Sequence, residues 1–438
     1  MADPVRVGLL GMGTVGTGLV RLLVENGDVV AARLGRPLQL RRALVRSLDK
    51  PRAYPVPADF LTTDPQAVLA ADDVDIVVEV MGGLEPADRY ILEALQRGKP
   101  VVTANKEVLA RRAPQLFAAA ARAGRGLYFE ASVAAGIPIL RSLVEGLAAN
   151  HVRSVIGIIN GTTNYILTKM SEQGAEFSLA LAEAQRAGYA EADPRSDVDG
   201  WDAAYKLAIL SSLAFETYVP VDSIFVEGIR RITPLDLQYA QQLGFAIKLL
   251  AIAKQVNGSI EARVHPAMVP LSHPLAAVRD VFNAIYVGGD AAGELMLYGR
   301  GAGAAPTASA VAADLIQAAD DLARQDVPLF LRAARAGWTS RAVQPIEETL
   351  TRFYLRFLVA DQPGVLAAIS AAFGRQKVSI ESVIQKGRGR SPVDLVFVTH
   401  LAREANVRAA LEEIRRLDVV FEVASLIRVE DAGEDGES

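Results

Sequence analysis

The segment 199–215, DGWDAAYKLAILSSLAF, places Asp202 and Lys206 four residues apart. On a helix that spacing puts both side chains on one face. The residues that follow, Leu207, Ala208, Ile209, Leu210, Leu213, Ala214 and Phe215, are apolar, so the element otherwise reads as a core helix. A carboxylate and an ammonium on such a helix have two readings. As a surface ion pair they contribute roughly 0.3–0.5 kcal/mol. Pointing into a cleft, they form a catalytic pair. Just upstream, AGYAEADPRSDVDGWD (187–202) carries Glu191, Asp193, Asp197 and Asp199. It reads as a solvated turn or as part of a site, and it lacks the spacing of a calcium loop.

A second constellation lies at the start of the chain. VRVGLL (5–10) reads as a buried strand, GMGTVG follows, and TGLVRLLVENG has helical spacing. In that context Gly11 permits the tight turn, Gly13 lets backbone approach a pyrophosphate, and Gly16 allows close helix–strand packing. The helix N-terminus then supplies N–H groups that suit phosphates. The next strand is predicted at LQLRRALV (38–45). From Val29 to Leu48 there is no acidic residue and there are five arginines: Arg33, Arg36, Arg41, Arg42 and Arg46. An acid there would read the ribose of NAD. Arg46, directly after the strand, suits a 2′-phosphate, which favours NADP and leaves NAD possible.

Ligands in open α/β sheets lie beyond the carboxyl ends of the strands. VDIVVEVMGG (74–83), KPVVTANKE (99–107) and GLYFEASV (126–133) read as such strands and bring Met81, Gly82, Gly83, Asn105, Lys106 and Glu130 towards one crevice. FEASVAAGIP also allows Glu130 and neighbouring carbonyls to meet a hard cation. The alternative is an ordinary buried turn. In SVIGIINGTTNYILTKM, Thr162, Thr163 and Asn164 are candidate caps of a helix.

The elements behind these residues divide the chain. At 438 residues, about three domains are expected. The composition, 51% apolar and 22% charged with net charge −5, is globular and gives no basic footprint for nucleic acid. There are no cysteines, which removes disulfides, thiolate metal sites and a cysteine nucleophile and fits a cytoplasmic enzyme. No signal peptide and no membrane span are expected. The four histidines have no metal-ligand spacing. The reading is an α/β chain: a Rossmann-type dinucleotide-binding domain over 1–134, completed by about 305–335; an α+β substrate and dimerisation domain over 135–304; a linker at 335–350; a ferredoxin-like module over 351–431; and an acidic tail, 432–438. The module follows from a βαββαβ order between TRFYLRFLV and FEVASLIRVE. PTASAVAADLIQAADDLAR is expected to form a helix packed back on the first domain.

GLLGMGTVGTGL, VVTANKE, FEASVAAGIPI, IINGTTNYIL, AGYAEADPRSDVDGWDAAYKLAIL and GRGAGAAPTASAV together resemble homoserine dehydrogenase of the monofunctional kind, over nearly the whole chain. DQPGVL and the βαββαβ order resemble an ACT domain. The resemblance implies reversible NAD(P)H-dependent reduction of L-aspartate 4-semialdehyde to L-homoserine. It implies that Lys206 and Asp202 are catalytic, with Lys106 at the cofactor–substrate junction. Hydride reaching an aldehyde leaves an alkoxide, and a lysine whose pKa is lowered by burial can supply the proton and take it back. Glu191, Tyr189, Gly161 and Thr162 would bind substrate. Gly11, Gly13, Thr14, Val15, Gly16, Arg46, Met81, Lys106 and Gly303 would bind cofactor. Glu130 and the carbonyls of Val133, Ala135 and Ile137 would hold sodium or potassium. L-threonine is the expected allosteric ligand, near Gly364 and Val365, and the enzyme is expected to be a homodimer or homotetramer. The linker looks extended around Pro345, so the module is expected to dock apart from the catalytic core, and deletion of 350–438 to leave dehydrogenase activity. Two other readings are a non-catalytic nucleotide-binding amino-acid sensor and another NADP-dependent semialdehyde reductase.

Overall fold

A computed structural model describes residues 3–329, 331, 341–386 and 392–430. The expected tail at 432–438 and residues 335–340 of the expected linker lie outside them. The chain forms two compact units: Met1–Val155, Ala204–Asp222 and Phe282–Arg341 in the first; Ile156–Ala203, Ser223–Val281 and Ala342–Ser438 in the second.

The first unit is built on a wholly parallel sheet of β1 (Val5–Leu10), β2 (Leu38–Leu44), β3 (Leu61–Thr62), β4 (Ile76–Glu79), β5 (Val101–Thr103) and β6 (Leu127–Tyr128), in the order β3-β2-β1-β4-β5-β6. β1 and β4 are mostly apolar, interrupted only by Arg6 and ended by Glu79, because helices cover both faces of such a sheet. The order reverses at β1, which places the ligand crevice beside the glycine turn. The helix Ala304–Arg324 does pack back here: Ala308, Val311 and Leu315 share one core with Val7, Leu9 and Leu19.

Two local expectations fail. GLYFEASV is not one strand: β6 ends at Tyr128, and Glu130–Ser132 is a short 3-10 turn. The cause is long-range, because the Glu130 carboxylate accepts the N–H groups of Leu140 and Arg141 at 2.9 and 2.8 Å. KPVVTANKE likewise stops being strand at Thr103, and Lys106 opens the helix Lys106–Ala123.

In the second unit β7 (Phe225–Val226) pairs with β9 (Ser259–Pro270), which forms an antiparallel hairpin with β8 (Phe245–Val256). The C-terminal module contributes β10 (Leu350–Val359), β11 (Ile380–Lys386), β12 (Val393–Thr399) and β13 (Val420–Val429), with helices Val365–Arg375 and Glu404–Ile414 between them. This is the βαββαβ order. Its core holds Phe357, Phe373 and Phe397, with ring centroids 5.4–6.3 Å apart.

The module does not dock apart from this unit. β13 pairs in parallel with β9 at Ala267↔Arg428 and Met268↔Val429, so its sheet continues the hairpin. Ile346–Glu348 is a 3-10 turn, and Gln344 donates its N–H to Ile260 at 2.7 Å. Buried ion pairs cross the seam: Arg263 with Glu430 at 2.7 Å, Lys254 with Glu430 at 2.5 Å, and Arg356 with Asp236 at 2.8 Å. Removing one partner of such a pair typically costs about 3–5 kcal/mol, because it strands a buried charge.

Candidate active site

The glycine turn is shaped by contact. Gly11 has φ +102°, and a Cβ there would lie 2.9 Å from the Val80 carbonyl oxygen; one on Gly16 would lie 2.3 Å from that of Gly11. Gly13 has nothing within 4 Å of where its Cβ would be, which leaves space for a ligand over the turn. Thr14 and Val15 follow at the start of the helix Thr14–Glu25. A cleft of ≈ 580 Å³ opens there, lined among others by Gly13, Arg46, Lys50, Arg52, Met81 and Tyr90. Arg52 clips one rim to the other, donating to the Met12 carbonyl at 3.2 Å and the Ser47 carbonyl at 2.6 Å. Gly303 caps the helix Ala304–Arg324 at φ 119°, and a Cβ on Gly18 would lie 2.9 Å from the Ala304 oxygen, so the two helices approach closely here. The cleft fits a dinucleotide: bare backbone, a helix N-terminus and three cations at the far rim. Arg46 is legible from its place after the second strand, whereas Lys50 and Arg52 lie on a loop with no periodicity.

Met81 and Lys106 are positioned by a buried carboxylate that the sequence reading also missed. Glu79 accepts from Thr103 Oγ1 at 2.6 Å, from the Met81 N–H at 2.7 Å and from Asn105 Nδ2 at 3.5 Å. Burial pushes its carboxyl up from the ordinary range, against those hydrogen bonds. Asn105 caps the Lys106 helix, accepting from the Val108 N–H at 3.2 Å while donating to the Gly83 carbonyl at 2.7 Å. One network therefore fixes the strand end, the glycine pair and the first turn that bears Lys106.

Asp202 and Lys206 lie on the helix Trp201–Ala214, and the boundary between the two units falls within it. They are 4% and 8% exposed, which excludes the surface-pair reading. In the first unit this helix is held to Lys106–Ala123: Arg111 donates to the Tyr205 hydroxyl at 3.0 Å, and Leu109 and Ala113 face Ala208 and Ile209.

In the second unit Asn160 organises the site. Its Oδ1 accepts from the Thr163 N–H and hydroxyl, both at 2.9 Å, capping the helix Gly161–Gln173. Its Nδ2 donates to Asp197 at 2.7 Å and to Asp202 at 2.8 Å. The expected caps Thr162, Thr163 and Asn164 thus sit inside the first turn, and Asn160, two residues before Thr162, does the capping. Thr162 donates its hydroxyl to the Tyr189 carbonyl at 2.7 Å, and the Tyr189 ring packs on Tyr165 with centroids 5.0 Å apart. Gly161, Thr162, Tyr189, Asp197 and Asp202 are thereby brought together. Glu191 stands exposed on the same loop, where Gln185 donates to its carbonyl at 3.0 Å. Two carboxylates on one amide suit a cationic ligand group. Asp197 and Asn160 were the residues to add; Asp197 lay in the acid-rich loop, whereas no spacing rule singles out Asn160.

At FEASVAAGIP, Ala134 and Ala135 adopt φ 50° and 32°, a left-handed conformation that non-glycine residues rarely take. Val133 and Ala135 are buried, and among the described residues no hydrogen bond reaches their carbonyls; the Ile137 carbonyl accepts from the Ile139 N–H at 2.8 Å. Buried carbonyls in that state, beside Glu130, fit a hard monovalent cation. No group of three or more His, Cys, Asp or Glu among the described residues could hold a metal.

Family models match three stretches: "Homoserine dehydrogenase, NAD binding domain" over residues 11–130, "Homoserine dehydrogenase" over 138–316, and "ACT domain" over 353–419. Homoserine dehydrogenase of a Synechocystis species is 46% identical, across 97% of this chain and 99% of its own. The crystal structure of a homoserine dehydrogenase from Thiobacillus denitrificans superposes with a TM-score of 0.92 at 43% identity, over 98% of this chain and 99% of that one. A hyperthermophilic archaeal homoserine dehydrogenase solved in complex with NADPH superposes at 0.62 with 29% identity, over 72% of this chain and 98% of its own.

Proposed function

The chain belongs to the homoserine dehydrogenase family, and on that premise we propose how its residues divide the reaction. It is an NAD(P)-dependent oxidoreductase of amino-acid biosynthesis that interconverts L-aspartate 4-semialdehyde and L-homoserine. The non-catalytic sensor and the other semialdehyde reductase give way to that membership. When bound, the nicotinamide supplies or accepts the hydride. Lys206 gives a proton to the oxygen of the reduced carbon and removes it in the reverse direction. Asp202 orients the site from one helical turn earlier, and Lys106 stands where cofactor and substrate meet. Asp197, Asp202 and Glu191 hold the substrate ammonium; Tyr189 and the backbone of Gly161 and Thr162 hold its other polar groups. The observation that carries this reading is Asn160, which aligns Asp197 and Asp202 at 2.7 and 2.8 Å beside the Gly161 turn.

The cofactor is bound over Gly11, Gly13, Thr14, Val15 and Gly16, with Met81, Lys106 and Gly303 around it. NADP is the preferred form: Arg46 at the cleft supports it, as does NADPH in the archaeal relative. Glu130 and the carbonyls of Val133, Ala135 and Ile137 hold sodium or potassium in a structural role. L-threonine binds the module at the turn of Gly364, which caps the helix Val365–Arg375, and lowers activity by shifting the population of states. The enzyme is a homodimer or homotetramer, using among other surfaces the exposed strand Gly293–Arg300, where Leu295, Met296 and Tyr298 are uncovered. Its setting is cytoplasmic, and no helix among the described residues is long and apolar enough to cross a membrane.

Asp202→Ala tests the substrate side. It should raise KM for L-homoserine and cut kcat by about a hundredfold or more while leaving cofactor binding unchanged. Wild-type values for both constants would remove Asp202 from the site.

A further inference from the structure

Arg428 lies on β13, the last strand of the C-terminal module, and is 1% exposed. It is shared between two carboxylates. Its Nε and Nη2 bond Glu404 of the module at 2.7 and 2.5 Å, and its Nη1 bonds Glu227 at 3.0 Å. The guanidinium also lies over the Phe225 ring, 4.9 Å from the centroid.

Glu227 belongs to the loop after β7, and its backbone is fixed by an N–H bond to the Val264 carbonyl at 2.8 Å. That loop presses on the acidic turn. The Ile229 N–H bonds the Val198 carbonyl at 2.9 Å. A Cβ on Gly228 would lie 2.2 Å from the Val198 oxygen and 2.5 Å from the Asp199 Cα. Gly200, at φ +92°, would bring a Cβ within 3.0 Å of Val226. The turn so gripped, 198–200, lies between the two carboxylates that Asn160 aligns, Asp197 and Asp202.

We propose that Glu227 is a positioning residue for the Asp197–Asp202 carboxylates, anchored by Arg428 of the C-terminal module, so that the module supports substrate binding through this one contact chain. The proposal rests on the reading that these carboxylates hold the substrate ammonium. The contacts run without a gap from Arg428 to Glu227, from the 227–229 backbone to the 198–199 backbone, and from there to both aspartates. Every link lies within the second unit. A two-sided arginine suits this task, because its planar fork fixes both partners in direction as well as distance.

The experiment is a steady-state KM split on the full-length enzyme. Glu227→Ala should raise KM for L-homoserine about tenfold, the effect of one charge-assisted hydrogen bond, and leave KM for the nicotinamide cofactor within about twofold. Glu227→Gln keeps an acceptor for Arg428 and should restore KM for homoserine to within about threefold. Gly228→Ala leaves every charge in place but forces the 198–199 backbone away, and should raise KM for homoserine selectively as well. Arg375→Ala is the control, rather than a change at Arg408, whose guanidinium shares the Phe225 ring and Glu404 with Arg428. It removes an exposed ion pair within the module, to Glu413 at 2.6 Å, and should leave both KM values unchanged. If Glu227→Ala does not fold, Glu227→Gln and Gly228→Ala are read by the same split. Equal rises in both KM values, or no rise in either, overturn the proposal. If Asp202→Ala itself leaves KM for homoserine unchanged, it is the assignment of the substrate site that has failed.

Discussion

Burial separates a surface ion pair from a polar pair held inside the fold, and sequence spacing alone does not reveal it. Asp202 and Lys206 were legible from their four-residue spacing, but spacing alone fits a surface pair equally well; their low exposure is what decides. Lys248 shows the opposite case, since nothing in FAIKLLAIAK sets it apart from Lys254. It is buried, donates to Asn164 Oδ1 at 3.3 Å and to the Val278 carbonyl, and burial pulls its pKa down to about 8, helped by the nearby Arg279. Below pH 8 it is protonated in both folded and unfolded chains, and folding carries the cost of a buried charge. Between about 8 and the ordinary 10.5 only the unfolded chain holds the proton, so stability rises with pH in that window. At 1.36 kcal/mol per pH unit the full gain is about 3 kcal/mol. Chemical denaturation from pH 7.5 to 10.5 should show the stability difference, wild type minus Lys248→Met, rising by up to that amount. A flat difference would show that Lys248 keeps its proton in the folded chain.

At the scale of elements, what local sequence controls was readable and what distant contacts control was not. The strand–glycine–helix start, the βαββαβ module and the returning helix Ala304–Arg324 follow from periodicity and glycine placement. The end of β6 does not, because it is set by Glu130 bonding backbone ten residues on. The cap of the helix Gly161–Gln173 was misplaced because Asn160, Thr162 and Thr163 are all good capping types, and only tertiary packing chooses Asn160. The cofactor rim combines a readable part, Arg46, with an unreadable one, the 47–52 loop. The two parts should behave differently. Arg46→Ala should raise KM for NADP roughly tenfold and leave KM for NAD nearly unchanged, because a single charge-assisted bond to a 2′-phosphate is lost. Arg52→Ala frees the loop from Met12 and Ser47 and should weaken both cofactors alike. Equal effects of Arg46→Ala on the two would show that this arginine does not read the phosphate.

For the molecule as a whole, the main revision concerns the C-terminal module. Read from sequence it is a separable attachment, since a βαββαβ unit is self-contained and a proline-bearing stretch precedes it. Folded, it shares a sheet with the substrate part and supplies partners to Arg263, Lys254, Asp236 and Glu227. Those pairings lie 120 to 201 residues apart in sequence, beyond any motif. Deleting 350–438 would take ion-pair partners from the buried Arg263 and Asp236 and from the half-buried Lys254 and Glu227, and leave an open strand edge, so the truncated chain should lose both cooperative unfolding and dehydrogenase activity. A soluble truncated enzyme with wild-type turnover would show that the seam is dispensable. Whatever the module contributes, the central proposal is that the proton moves at Lys206. The most direct measurement is the turnover of Lys206→Ala with L-homoserine, alongside cofactor binding and circular dichroism on the same preparation. Turnover should fall by roughly 10²–10⁴, with folding and cofactor affinity unchanged; turnover within a fewfold of wild type would contradict the assignment of Lys206 as the acid–base group.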